Sequence, residues 1–306
     1  MRRAVIDIGT NTVKLLVAEV RQGQVVPLVA KDCTTRLGEG LSEHKRLSPS
    51  AIARTVEAVK GFHAEAKAQG AEDVIALTTS ASRDAANRDE FFEGVRRACG
   101  LEVQLISGDR EAELIFRGVS SDPEWSGARI LVVDVGGGSA EFIQGTGGKM
   151  EIFQSLPLGA LRLTEKFGEG RFAELCQYLQ GTLRGALADY KAGSCRMIAT
   201  GGTITTLGNI CRAAAPAAVV PSQQAERLPY NTIDHSKLTR NDVKSLVDRL
   251  RAMPLAERKK VPGLPPERAD IIVAGGAVLL VAMEVLGASE LTVSVRNLRY
   301  GALVSN

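Results

Sequence analysis

Val5-Ile6-Asp7-Ile8-Gly9-Thr10-Asn11-Thr12-Val13-Lys14 and Val132-Val133-Asp134-Val135-Gly136-Gly137-Gly138-Ser139-Ala140-Glu141 align at a constant offset of 127 residues. Asp matches Asp, Gly matches Gly, and Thr12 matches Ser139. Each stretch runs from β-branched residues through Asp into a Gly-rich turn and out into a second strand. A second turn, at Gln22-Gly23-Gln24 or at Gly145 to Gly148, then leads to a third strand, Val25 to about Thr35 or Glu151 to Leu156. One copy would be weak evidence, because tight hairpins use Asp, Asn and Gly for their own geometry. Two copies, each opening a half-chain, indicate a duplicated domain.

Outward from these hairpins the chain reads as α/β. Ser48 to Gln69 forms a helix with Ser48 as N-cap and Pro49 at its first position, and Ile52, Val56, Val59 and Phe62 recur at helical spacing. A strand at Val74 to Leu77, a helix at Arg88 to Ala98, a strand at Val103 to Ile106 and a helix at Asp109 to Gly118 complete the first half. The second half continues with helices at Phe172 to Tyr190, Thr203 to Cys211, Asn241 to Arg251 and Ala269 to Leu286, and strands at Arg196 to Ala199 and Leu291 to Val295. Pro123 and Gly127 flank a polar divide, giving domains of residues 1–126 and 127–306, the last helix being free to pack back on the first. Ala213 to Tyr230, rich in Ala and Pro, reads as a loop or insertion.

Composition narrows the chemistry. Lys+Arg 38 against Asp+Glu 35 leaves a net +3, too mild to indicate nucleic acid but compatible with an anionic substrate. Five cysteines without a C-x-x-C, and three histidines without H-E-x-x-H, argue against a disulfide framework or a histidine-based zinc hydrolase. Asp7 interrupts any signal-peptide core, and the longest apolar run, Ile271 to Met283, is too short to span a bilayer. The expectation is a cytoplasmic protein with no membrane partner. Only 13 aromatic residues stand against 31 glycines, which suits a site that reads phosphates through backbone more than one that stacks on bases. A strand-end Asp places a carboxylate at the mouth of a site. The Gly-rich turn after it exposes backbone N–H groups as a nest for phosphate oxygens, and Thr12 and Ser139 add hydroxyl donors.

The duplicated D-x-G-T and D-x-G-G-G pattern resembles the superfamily of actin, the heat-shock chaperone ATPases and the sugar kinases. That resemblance implies two ribonuclease-H-like (actin-like ATPase) domains, each with a mixed five-stranded sheet, around an interdomain cleft. Gly201-Gly202-Thr203 is similar to the superfamily's third phosphate-facing turn, a plain helix start being the open alternative. Asp7 to Thr12, Thr78 to Asn87, Ile106 to Leu114 and Asp134 to Glu141, in this order and with Leu298-Arg299-Tyr300-Gly301 at the end, resemble the Ppx/GppA family of exopolyphosphatases and guanosine-pentaphosphate phosphohydrolases.

The resemblance implies hydrolysis of the terminal phosphoanhydride of inorganic polyphosphate, with the 5′-terminal phosphate of guanosine pentaphosphate (pppGpp) as the alternative. A superfamily kinase or a non-enzymatic nucleotide-binding module are the competing classes. It makes Glu111 the general base, where sequence alone would read an acid favoured by a helix N-terminus. Asp134 orients the water or, with Asp7 and Glu141, holds Mg2+ or another divalent cation. Gly9, Thr10, Asn11, Thr12, Gly136, Gly137, Gly138, Ser139, Gly201, Gly202 and Thr203 cradle phosphates. Arg83 clamps a phosphate unless it pairs with Asp84 or Glu90, Arg299 reaches an anionic chain unless it is a surface charge, and Lys14 is a weaker candidate. The chain departs from the family's two-acid motif at Arg110, and carries Glu113 where a basic residue is common. The resemblance is to the short two-domain form, expected to be without the C-terminal helical region of longer members, and family habit makes a homodimer a candidate assembly.

Overall fold

Both copies of the motif fold as a hairpin, and each hairpin seeds one sheet. The computed structural model describes residues 1–190, 192–214 and 232–304, which divide into two units. One comprises Met1–Ser126, Gly137–Ser139 and Arg296–Asn306, the other Gly127–Gly136 and Ala140–Val295.

In the first unit, β1 (Arg2–Ile8), β2 (Thr12–Arg21) and β3 (Gln24–Thr34) form an antiparallel meander. The short α1 (Leu41–His44) precedes α2 (Pro49–Ala68), which starts where the Ser48 hydroxyl accepts from the Ala51 amide at 3.1 Å. Helix α2 returns the chain so that β4 (Asp73–Thr78) runs parallel to β1. Then α3 (Ser80–Asp84) and α4 (Arg88–Cys99) lead to β5 (Val103–Leu105), parallel to β4, and α5 (Gly108–Ser120) follows. The sheet order is β3-β2-β1-β4-β5. Alternate residues Ile6, Ile8, Val13, Leu15 and Val17 turn one sheet face inward against Val59 of α2 and Phe91 and Val95 of α4, the period-2 pattern of a half-buried sheet.

In the second unit, β6 (Arg129–Val135), β7 (Ala140–Thr146) and β8 (Lys149–Leu156) repeat the meander. Helices α6 (Ala160–Phe167) and α7 (Phe172–Ala186) carry the chain to β9 (Arg196–Thr200), parallel to β6, and to α8 (Gly201–Ala214). Next come β10 (Lys237–Thr239), α9 (Arg240–Ala252), α10 (Leu255–Arg258), α11 (Ile272–Val285) and β11 (Glu290–Val293). The order β10-β11-β9-β6-β7-β8 makes six strands where five are expected. The extra one, β10, is a three-residue edge strand with only one buried residue, too short to leave a periodic signal. The long apolar run forms α11, buried nearly all round as a core helix. No helix among the described residues is long and apolar enough to cross a membrane. Most of the loop expected at Ala213 to Tyr230 lies outside the described residues; Ala213 and Ala214 close α8. The last helix, α12 (Leu298–Val304), groups with the first unit.

The duplication extends to register. Asp7 stands opposite Lys14 across β1 and β2, and Asp134 opposite Glu141 across β6 and β7. Each meander also carries a register shift at the matching place, between Val17 and Ala18 and between Gln144 and Gly145. The repeat therefore conserves which side chains share a face, since a one-residue slip would flip every one of them.

With so few aromatics, each buried ring fills a large share of the core. Phe142 on β7 is fully buried, so Phe142→Ala is expected to lower unfolding free energy by about 3–5 kcal/mol. Chemical denaturation checks this, and a loss below about 1 kcal/mol would contradict the packing described.

Candidate active site

In the first unit, the turn after β1 is held from behind. The Asn11 carbonyl accepts from the amides of Thr35 (3.1 Å) and Arg36 (2.9 Å), and the Thr10 carbonyl from Gly38 (2.9 Å). The amide N–H groups of Thr10 and Asn11 meet no protein acceptor among the described residues, although both residues are buried. The Asn11 side-chain oxygen is likewise buried without a partner, while its amide nitrogen donates to the Thr12 hydroxyl at 3.1 Å. Backbone amides without an acceptor are rare in buried segments, and two in succession at a turn are suited to an anion. Gly137 and Gly138 pack on the same turn: a Cβ on Gly137 would lie 2.9 Å from the Asn11 Cβ, and one on Gly138 about 2.5 Å from the Thr10 hydroxyl and 2.6 Å from that of Ser80. Only glycine fits there.

Glu111 lies in the first turn of α5, whose N-cap Ser107 accepts from the Arg110 amide at 3.2 Å. It is 8% exposed. Its Oε2 accepts from Arg83 Nη1 at 2.7 Å, and the same nitrogen donates to the Ile106 carbonyl at 3.1 Å. Arg83 reaches this point because the Thr78 hydroxyl, bonded to the Ile8 carbonyl and to Ser82, ties the start of α3 to the end of β1. Two residues singled out separately in the sequence thus form one ion pair, and neither Asp84 nor Glu90 is Arg83's partner. Arg83 Nε and Nη2 meet no protein acceptor among the described residues. The two departures from the family motif also meet, Arg110 and Glu113 forming a 2.6 Å ion pair on the outer face of α5.

Asp7 is flanked by cations. Burial pushes its carboxyl above the usual range, and the charges of Lys14 and Arg299 pull it back. A carboxylate so flanked fits a metal poorly. Arg299 is 2% exposed and donates to the Leu15 carbonyl at 2.9 Å and to Asn297 Oδ1 at 3.2 Å. Arg299 thus ties α12 to β2 while its charge acts on Asp7. The sequence pattern around Arg299 carries no sign of burial from which this could be read.

In the second unit, Asp134 and Glu141 face each other across β6 and β7, and the Ser155 hydroxyl donates to Glu141 Oε1 at 2.9 Å. Like charges directly opposite destabilise a sheet, and a pair of hard carboxylates suits a divalent cation between them. Gly201 has φ +89°, and a Cβ there would collide with the Asp134 carboxylate. Thr203, in the first turn of α8, donates its hydroxyl to the Val135 carbonyl at 3.1 Å, and Gly136 accepts from the Ala160 amide at 2.9 Å. Arg268, which the sequence does not single out, is buried with its guanidinium filling the space where a Gly202 side chain would stand. No motif marks it; only packing brings it to the start of α8.

A model of the Ppx/GppA phosphatase family matches residues 16–306. Exopolyphosphatase 1 of Mycobacterium tuberculosis is 32% identical over 313 residues, covering 99% of this chain and 88% of that one. A Ppx/GppA enzyme of Aquifex aeolicus superposes with a TM-score of 0.79 at 31% identity, covering 100% and 99% of the two chains. An exopolyphosphatase from Cytophaga hutchinsonii gives 0.86 at 27% identity, covering 99% and 96%.

The raised titration of the Asp7 carboxyl predicts a pH signature. As pH rises past the usual carboxylate value, the unfolded chain releases this proton first, so wild-type stability falls until the raised folded-state value is passed. Asp7→Asn removes that fall and is expected to raise the thermal midpoint at pH 7 but not at pH 3, with no divalent cation added. An equal shift at both pH values would contradict it.

Proposed function

The chain belongs to the Ppx/GppA phosphatase family, and on that premise we propose that it is an exopolyphosphatase, hydrolysing the terminal phosphoanhydride of inorganic polyphosphate to orthophosphate and a chain one unit shorter. The observation that carries this reading is the pair of successive amides at Thr10 and Asn11 that meet no protein acceptor among the described residues, in the same unit as the Arg83–Glu111 pair. Relatives from Mycobacterium tuberculosis and Cytophaga hutchinsonii are exopolyphosphatases by name, which favours polyphosphate over pppGpp.

Phosphoryl transfer needs positioning and charge neutralisation more than covalent help. Glu111 accepts the proton of the attacking water as the new P–O bond forms and the bridging P–O bond to the rest of the chain breaks, the shortened chain leaving with the electron pair as its terminal phosphate oxyanion. Arg83 Nη1 aims that carboxylate, and its Nε–Nη2 edge meets a phosphate oxygen. The Thr10 and Asn11 amides, with the Thr12 and Ser139 hydroxyls, hold the remaining oxygens. In the second unit, Asp134 and Glu141 are the residues that would hold a divalent cation such as Mg2+. When bound, that ion supplies neutralisation of phosphate charge. Arg268 and the first turn of α8 offer a second anion contact.

Glu111→Gln is expected to lower kcat for phosphate release from polyphosphate by about 10²–10⁴-fold with KM little changed. Wild-type turnover by the folded variant removes the base assignment. Polyphosphate is expected to be the better substrate when compared with pppGpp at equal enzyme, and the reverse order would reassign the activity. EDTA is expected to abolish turnover and added Mg2+ to restore it; full activity in EDTA would overturn the cation role.

A further inference from the structure

Helices α5 and α12 cross with their backbones in direct contact. A Cβ on Gly118 of α5 would overlap the Asn297 carbonyl oxygen and lie 2.9 Å from the Gly301 amide nitrogen, and a Cβ on Gly301 of α12 would overlap the Leu114 carbonyl oxygen. The contact is reciprocal, each helix presenting a glycine to the other's backbone, one turn apart. Residues 111, 114 and 118 lie on one face of α5, so the stripe that crosses α12 ends at Glu111.

Helix α12 is itself fixed to the sheet. Arg299 donates to the Leu15 carbonyl of β2 at 2.9 Å, and Arg3 of β1 donates to the Leu303 carbonyl at 3.1 Å. Just before α12, Arg296 Nη1 donates to the carbonyl and hydroxyl of Ser121, each at 3.0 Å, and its Nε pairs with Asp122 at 3.3 Å, past the far end of α5.

We propose that α12 is a positioning element for Glu111: the glycine-on-backbone crossing at Gly301 and Gly118 sets how close α5 lies to the sheet and thereby where its first-turn carboxylate stands. This rests on the reading of Glu111 as the base. Any side chain at Gly301 moves α5 as a rigid rod, and a misplacement of about 1 Å in a reacting group costs up to roughly a hundredfold in rate.

The test compares Gly301→Ala and Gly118→Ala with Gly61→Ala, a helical glycine of α2 whose added Cβ meets nothing within 4 Å. Phosphate release from polyphosphate is resolved into kcat and KM, with folding followed by circular dichroism. Gly301→Ala is expected to lose kcat by roughly tenfold to a hundredfold with KM within about twofold, while Gly61→Ala keeps both. The double variant Gly301→Ala/Glu111→Gln is expected to be no slower than Glu111→Gln alone, because a positioning residue has nothing left to position. If Gly301→Ala does not fold, Arg296→Ala loosens the crossing without a clash and is expected to lower kcat in the same way, with Arg296→Lys restoring part of it. Wild-type kcat in Gly301→Ala, or the same fold-loss in the Glu111→Gln background, would overturn the positioning role. Full activity of Glu111→Gln would instead overturn the base assignment.

Discussion

The register of the two hairpins governs the rest. Asp7 faces Lys14 and Asp134 faces Glu141 because both hairpins pair at the same offset and carry their register shift at the same place. Strand sterics allow no intermediate register, so the duplicated backbone delivers two acids at equivalent strand ends. What differs is the opposing residue. A lysine across from Asp7 makes that end cationic around a buried carboxyl, whereas a glutamate across from Asp134 makes the other end a pair of hard oxygen donors. One geometry thus gives two electrostatic environments, one suited to phosphate oxygens and one to a cation.

Much of this was legible in the sequence because the repeat is local and glycine-marked. Each hairpin needs only ten residues to declare itself, and the glycines at 137, 138 and 201 are required by contacts that a Cβ would violate. The remainder depends on contacts between distant residues. Arg83 and Glu111 are 28 residues apart and each had a plausible nearer explanation. Arg299 has the composition of a surface charge and is instead enclosed by α12 and β2. Arg268 follows no motif. Helix α12 tolerates Gly301, which lowers helix propensity by about 1 kcal/mol, because only a glycine there lets two backbones touch.

The first unit is accordingly a chain of dependent placements. The ends of β1 and β4 fix α3 through Thr78 and Ser82, α3 carries Arg83, and Arg83 holds Glu111. From the other side, β1 and β2 fix α12 through Arg3 and Arg299, and α12 meets α5 at Gly118. Glu111 is therefore located twice, through its partner and through its helix, which is the over-determination that the proposed role of a preorganised base would require.

In the proposed reaction a phosphate-holding turn and an aimed glutamate remove phosphates one at a time from a chain end. Phosphorus NMR of wild-type protein with polyphosphate of defined length tests this most directly, since terminal, internal and free phosphate resonate separately. Orthophosphate is expected to grow from the first time point while the number of chain ends stays constant. A rise in chain ends ahead of orthophosphate, or no orthophosphate at all, would contradict it.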